Sequence, residues 1–269
     1  MLVKEALVKA TRLIKDISDI PNKEARILLA SYLKKDQIWI ITHDDEEIKE
    51  EGYFELIKRR VDNEPIEYIT NSASFYGESF YVDSNVLIPR PETEILVDLV
   101  VSTCKGIKTP IIVEIGTGSG IISIMLALLL PKAIIKAVDI SQEALHVAKL
   151  NAKKHRVSDR IEFILSDLLN SCDEKNFDVL VSNPPYIANN EPLHVGLSYE
   201  PSLALYGGKE GGEILEKIYN LAKARKVSFL ACEIGYDQKE YISTIASPLK
   251  PKFYKDLANH DRGFIINFK

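Results

Sequence analysis

The stretch IIVEIGTGSG, residues 111 to 120, carries five residues of strand character into three alternate glycines, and the apolar run IISIMLALLL follows at 121 to 130. Strand, glycine turn and helix in that order open a unit of the α/β kind. Glycines at 116, 118 and 120 let the backbone turn sharply and let a ligand approach it without meeting a Cβ. The dinucleotide fingerprint G-x-G-x-x-G would need its third glycine at position 121, which is Ile121, and no Gly-Lys-Ser/Thr follows to make a phosphate loop. What remains is a G-x-G-x-G turn at the carboxyl end of a strand, the place where open α/β sheets take their ligands.

Outward from this turn, strand-like runs at 111–115, 134–139, 161–165, 177–182 and 227–233 are separated by helical runs near 119–130, 141–154 and 213–224. Such alternation predicts a mostly parallel sheet with helices on both faces. The last two runs, FYKDLA and GFIINF, are joined by a short polar turn and are expected to pair antiparallel at the sheet edge. Residues 1 to 62 read as helices: an amphipathic run with Leu2, Val3, Ala6, Leu7, Ala10, Leu13, Ile14 and Ile17 on one face, then EARILLASYL, then a third run near 45 to 61 whose start carries the charge cluster HDDEEIKEE. Between them, Phe75, Tyr76, Phe80 and Tyr81 flank Gly77-Glu78 in a hairpin pattern, so 63 to 90 is expected to be a linker with a β-hairpin, ahead of a sheet domain at 91 to 269.

Composition narrows the function classes. Lys plus Arg is 34 and Asp plus Glu is 39, a net charge of -5, so no global positive field draws the chain onto nucleic acid. Cys104, Cys172 and Cys232 lie far apart with no CxxC pair, and the five histidines lack zinc-ligand spacing, so no metal is expected and the thiols read as buried and reduced, as in the cytoplasm. The longest nearly apolar run, 121 to 130, is shorter than the roughly 20 residues of a membrane span, and the first helix is no signal-peptide core; a soluble protein is expected.

The next two strand ends carry acids. Asp139 closes the strand IIKAVD, where a carboxylate can accept from both hydroxyls of a ribose, and Asp167, followed by Leu168, closes the third strand within reach of an adenine amino group. Taken alone, Asp139 could equally cap the helix starting near Ser141; three consecutive strand ends offering a turn, a ribose acceptor and a base acceptor favour a nucleoside ligand without a diphosphate. Here the chain resembles the class I methyltransferases that use S-adenosylmethionine. The resemblance implies a Rossmann-like sheet in which Gly116, Thr117, Gly118, Ser119 and Gly120 underlie the methionine part, Asp139 holds the ribose, and Asp167, Leu168 and Asn183 complete the cofactor site. Glu114 and Asp139 offset the sulfonium charge.

The fourth strand, FDVLVS, ends on Asn183-Pro184-Pro185-Tyr186. Two prolines fix φ and push each preceding residue into extended backbone, so this finger is rigid before any substrate arrives. Neither proline has an N–H, which leaves the Asn183 side-chain oxygen and the Pro184 carbonyl to accept from a planar NH₂ group, with Tyr186 packed on it. The lone pair of such a nitrogen is delocalised, so transfer depends on orientation, which can lower a barrier by roughly 7 to 11 kcal/mol.

This finger resembles the Asp/Asn-Pro-Pro-Tyr/Phe motif shared by methyltransferases of adenine in DNA, of adenine or guanine in RNA, and of protein glutamine. FYGESFYVDSNVLIPRPETEILV at 75 to 97, EPSLALYGGKEGG at 200 to 212, EIGYDQ at 233 to 238 and KDLANHDRG at 255 to 263 are similar to the release-factor glutamine methyltransferases, the PrmC/HemK family. Membership implies methylation of the glutamine in the Gly-Gly-Gln motif of a peptide chain release factor, with S-adenosylhomocysteine as the other product. It implies Asn183, Pro184 and Tyr186 as catalytic residues, Pro185 with them as substrate-binding, and the helical region at 1 to 62 as the grip on the release factor. Arg90 and Glu92 are expected to order the segment over the cofactor. A monomer without membrane or direct nucleic-acid partners is expected. Departures are Glu210 where Asp is common, Lys239 where Gly is frequent, and Leu168 where an aromatic often stands. The competing readings are an adenine- or guanine-N methyltransferase of nucleic acid and a non-enzymatic sensor of S-adenosylmethionine.

Overall fold

A computed structural model describes residues 1–174 and 176–269, and the chain divides into two compact units, residues 1–72 with 193–199, and residues 73–192 with 200–269.

The first unit contains α1 (Val3–Ile14), α2 (Pro21–Leu33), α3 (Gln37–Thr42), α4 (Glu51–Val61) and α5 (Ile66–Thr70). On α1, Val3, Ala6, Ala10 and Ile14 are fully buried, and they pack with Leu28 and Leu29 of α2 and with Tyr53 and Ile57 of α4. That spacing is one face of a 3.6-residue helix. Leu13, read into the same face, is instead half exposed. The charge cluster at 43 to 51 precedes α4, with Glu51 as the only acid in its first turn, and Asp45 pairs with Lys4.

The second unit begins with a hairpin, β1 (Ala73–Phe75) and β2 (Glu78–Phe80), turning on Tyr76 (φ 54) and Gly77 (φ 71). Positive φ at both central residues is the type I′ geometry that two-residue hairpins favour. Residues 63 to 90, set apart in the sequence as a linker, are thus divided: α5 lies in the helical unit and the hairpin in the sheet unit. The remaining elements are α6 (Thr93–Thr103), β3 (Ile111–Ile115), α7 (Ile121–Leu129), β4 (Ile134–Asp139), α8 (Gln142–Lys154), β5 (Ile161–Leu165), β6 (Val179–Ser182), β7 (Ile187–Ala188), β8 (Tyr206–Gly208), α9 (Glu213–Ala224), β9 (Phe229–Glu233), α10 (Lys239–Ile245), β10 (Lys252–Lys255) and β11 (Asp261–Asn267).

Seven strands form one sheet in the order β10-β11-β9-β6-β3-β4-β5. β5, β4, β3, β6 and β9 are parallel, whereas β11 runs antiparallel to β9 and to β10. The reversed strand is therefore the penultimate one, inserted between β9 and the edge. Alternate residues feed two cores: Ile112, Val179 and Val181 pack with α6 and α7, while Val113, Leu180 and Leu230 pack with α9 and Phe264. A strand buried on both faces needs apolar side chains in both phases, which is why the sheet reads as unbroken apolar runs. Chain order leaves β3 in one direction through β4 to β5 and in the other through β6 to β9, so the switch point lies between β3 and β6. No helix among the described residues is long and apolar enough to cross a membrane.

Candidate active site

A cavity of about 260 Å³ opens at the carboxyl ends of β3, β4, β5 and β6, and its wall includes Glu114, Gly116, Asp139, Asp167, Leu168 and Asn183. It also includes Thr117, Gly118, Ser119, Pro184 and Pro185, while Gly120 and Tyr186 are absent from it.

The turn after β3 is held by neighbours close in sequence or on the adjacent strand β4. Gly116 and Thr117 N–H groups donate to the Val138 carbonyl (2.8 and 3.0 Å), and Gly120 N–H donates to the Thr117 carbonyl (2.8 Å). Gly116, Gly118 and Gly120 have φ of 73°, 54° and 85°, which only glycine adopts freely. A Cβ at Gly116 or Gly118 would meet nothing within 4 Å, whereas one at Gly120 would press on Ala148 and Ile124 at 3.1 Å. Two of these glycines border open space, and the third lets α7 pack on α8.

Asp139 accepts from the Gly118 N–H (2.8 Å) and from the Ser141 N–H (2.9 Å). Burial pushes its pKa up, and the backbone donors oppose that. The helix cap itself is Ser141, whose Oγ accepts from Ala144 N–H at 3.0 Å. Asp139 therefore ties the glycine turn to the start of α8 while keeping lone pairs on each oxygen. Asp167 is exposed, and Leu168 beside it sits at φ 50, a left-handed conformation rare for a branched side chain.

Glu114 is fully buried at the next-to-last position of β3. One oxygen accepts from Thr117 Oγ1 (2.8 Å), Ser123 N–H (3.1 Å) and the Ser123 hydroxyl, while Oε1 has no partner among the described residues. Burial pushes its pKa up to about 8 against those three donors. A buried carboxylate oxygen left unpaired in a cavity wall is costly unless something cationic or donating meets it.

The finger after β6 is held by residues far away in sequence. Asn183 Nδ2 donates to Thr93 Oγ1 (3.2 Å) at the start of α6, and Thr93 Oγ1 donates to Glu233 Oε2 (2.7 Å) at the end of β9. Thr93 is completely buried and Glu233 is 1% exposed; burial pushes Glu233 up to about 7, although Arg262 and Arg90 favour its charged form. Behind the prolines, Gly207 lies so close that a Cβ there would stand 2.4 Å from the Pro185 carbonyl oxygen and 2.3 Å from that of Gly211. A Cβ on Gly211 (φ 84) would stand 2.4 Å from the Tyr186 carbonyl oxygen. Gln238 Nε2 donates to the Gly211 and Tyr186 carbonyls (3.1 and 3.4 Å), and its Oε1 accepts from Gly235 N–H (3.0 Å). β7 and β8 continue this support through Ile187 N–H to the Leu205 carbonyl (2.9 Å).

The motifs PETE, YGGKEGG and EIGYDQ thus meet behind one tetrapeptide. Their likeness to motifs of a family was visible in the sequence, but no spacing or periodicity in it pairs Thr93 with Glu233 or Gly207 with Pro185. Arg90 pairs with the buried Glu200, which also accepts from Ile88 N–H (2.9 Å), so this arginine anchors the 88-to-90 segment. No cluster of metal-ligating side chains occurs among the described residues.

Residues 5–70 match the PrmC N-terminal domain and residues 91–197 the methyltransferase small domain. The release factor glutamine methyltransferase of Clostridium botulinum is 38% identical over 276 residues, 97% of this chain and 98% of that one. The bifunctional methyltransferase of Rickettsia typhi is 36% identical over 290 residues, 97% of this chain and 56% of its own, so the chain spans about half the length of that relative. Among solved structures, the N-terminal domain of human METTL16 in complex with SAH superposes with a TM-score of 0.51 over 72% of this chain and 77% of that one, at 17% identity; the likeness is one of fold. Similarity along nearly the whole of both chains, with the amino-terminal domain included, places this protein in the release factor glutamine methyltransferase family.

Proposed function

We propose that the protein transfers a methyl group to the side-chain amide nitrogen of the glutamine in the Gly-Gly-Gln motif of a peptide chain release factor. The observation that carries this reading is the placement of Asn183 and Pro184 in the wall of the cavity that residues 116 to 119 also line, in a chain of this family. Bound in that cavity, S-adenosylmethionine supplies an electrophilic methyl on a positively charged sulfur and departs as S-adenosylhomocysteine. Two features of the wall suit such a ligand. The Glu114 Oε1 atom is buried and has no partner among the described residues, and Gly116 and Gly118 present bare backbone to open space.

Asp139 keeps lone pairs for ribose hydroxyls, Asp167 and Leu168 flank the place for the base, and residues 116 to 120 form the floor. On the acceptor side, the Asn183 Oδ1 and the Pro184 carbonyl each take one N–H of the substrate amide, which fixes its plane; Pro185 stiffens the finger and Tyr186 packs on the planar group. The amide proton becomes acidic as positive charge develops on nitrogen, so it passes to solvent water without a strongly basic side chain. The helical unit grips the release factor, and the protein acts as a monomer in the cytoplasm.

Mass spectrometry of the Gly-Gly-Gln peptide, after release factor is incubated with the protein and S-adenosylmethionine, is expected to show one added methyl on the glutamine. Label appearing in tRNA, rRNA or DNA in a competition assay, and none in release factor, would overturn the reading in favour of a nucleic-acid base.

A further inference from the structure

We propose that Thr93 and Glu233 are positioning residues that fix which end of the Asn183 side chain faces the substrate. The inference rests on the reading of Asn183 as an acceptor for the substrate amide.

An asparagine amide has an acceptor at one end and two donors at the other, of nearly identical shape. Only one orientation can receive an N–H. A hydroxyl resolves such an ambiguity when its single hydrogen is already committed. Here the Thr93 hydroxyl lies 2.7 Å from Glu233 Oε2, and Glu233 in the charged form that Arg262 and Arg90 favour only accepts, so the Thr93 hydrogen then points to Glu233. Its lone pairs then face Asn183, whose Nδ2 lies 3.2 Å away. Flipping the amide would set Oδ1 against those lone pairs, acceptor against acceptor. Thr93 and Glu233 are at 0% and 1% exposure, so no bulk water is at hand to relieve that clash. The charge on Glu233 is thereby converted, through one hydroxyl, into an acceptor turned toward the cavity.

The three residues come from the end of β6, the first turn of α6 and the end of β9, separated by 90 and 140 positions. A tie that served packing alone would need no fixed polarity. Glu233 could then be any residue of its shape, and a valine could replace Thr93 with the amide unaffected.

The test compares the parent with Thr93→Val, Thr93→Ser and Glu233→Leu, measuring kcat and KM for release factor, the cofactor dissociation constant by calorimetry, and hydrogen exchange of the Asn183 side-chain amide by NMR, assigned with Asn183→Asp. Thr93→Val keeps volume but removes the acceptor. Its expected outcome is a kcat lower by on the order of 10²-fold, as for a misaligned reactant, with cofactor affinity unchanged and the Asn183 amide losing its protection. Thr93→Ser restores both. Glu233→Leu lowers kcat, because nothing then holds the Thr93 hydrogen away from Asn183. A folded Thr93→Val protein with parental kcat and a protected amide overturns the proposal. So does a Glu233→Leu protein indistinguishable from the parent, which serves if Thr93→Val does not fold. An inactive parent whose Asn183 amide still depends on Thr93 would sink the functional reading and leave the positioning network standing.

Discussion

The turn at 116 to 119 and the finger at 183 to 185 line one cavity at the ends of adjacent parallel strands, yet they are held in opposite ways. The turn is fixed by partners near it in sequence or on the next strand: Thr117, Ser123, Val138 and Asp139. The finger is fixed by Thr93, Gly207, Gly211 and Gln238, from three separate regions. A ligand that must be bound and released needs only a shaped floor. An amide that must be aligned needs acceptors whose own freedom has been removed, and that takes bracing from several directions. Substitutions on the finger side are therefore expected to act on kcat, and those on the turn side on cofactor affinity.

The sharpest break is Asn183→Ala. Removing the oriented acceptor is expected to lower kcat by about 10²- to 10³-fold, the loss typical of deleting one positioned hydrogen-bonding group. Calorimetric cofactor affinity is expected to change less than kcat, because the Asn183 side chain is tied to Thr93 rather than to the turn. Equal losses of kcat and cofactor affinity would erase the division between the two sides.

Gly207→Ala comes next and tests the bracing without touching a finger residue. The added methyl would meet the Pro185 and Gly211 carbonyl oxygens at 2.4 and 2.3 Å, both backbone atoms that cannot swing away. The finger has to shift, so kcat is expected to fall by roughly 10²-fold and unfolding stability by about 1 to 3 kcal/mol, the usual cost of overpacking. Parental kcat in this variant would mean that the Pro185 backbone does not need its place. Gly118→Ala is the matched change on the turn side. Its Cβ meets no protein atom within 4 Å, so the cost is left-handed backbone strain of about 1 to 2 kcal/mol. The expected result is a weaker cofactor dissociation constant at nearly unchanged kcat under saturating cofactor.

The same contrast explains what the sequence disclosed. The sheet, its parallel run and the glycine turn were legible because their determinants are local: apolar runs of strand length, and a G-x-G-x-G that fails the dinucleotide spacing. Asp139 was legible as a strand-end acid, though both its structural bond to Ser141 and its bond to Gly118 turned out to coexist. Helices α6 and α10 and the small β7–β8 pairing went unread. TEILVDLVVST in α6 follows a proline-rich segment that reads as a linker, and α10 is only seven residues long. The bracing of the finger was not legible at all from residues alone, since a hydrogen bond across 90 positions leaves no periodicity. Only the likeness of PETE, YGG and EIGYDQ to a family marked them, without saying what they do.

The effect whose sign pH can check concerns Glu114. Its pKa rises from 4.5 in the unfolded chain to about 8 in the folded one, because burial outweighs the donors Ser123 and Thr117 and because Asp139 adds like charge. A carboxyl raised on folding holds its proton longer in the native state, so the native state binds more protons and stability falls as pH rises between about 4.5 and 8. The limiting slope for one such group is about 1.4 kcal/mol per pH unit. Glu114→Gln keeps the acceptor for Thr117 and Ser123 but cannot ionise, so thermal unfolding of the ligand-free variant is expected to fall less steeply with pH than that of the parent. A cationic ligand in the cavity reverses the balance by favouring the charged carboxylate. Its binding near pH 7 therefore releases a proton from the parent and none from Glu114→Gln, a difference read by calorimetry in buffers of unlike ionisation enthalpy. Identical pH slopes with and without Glu114 would mean that its unpartnered oxygen is not the acid that the turn side holds ready for its ligand.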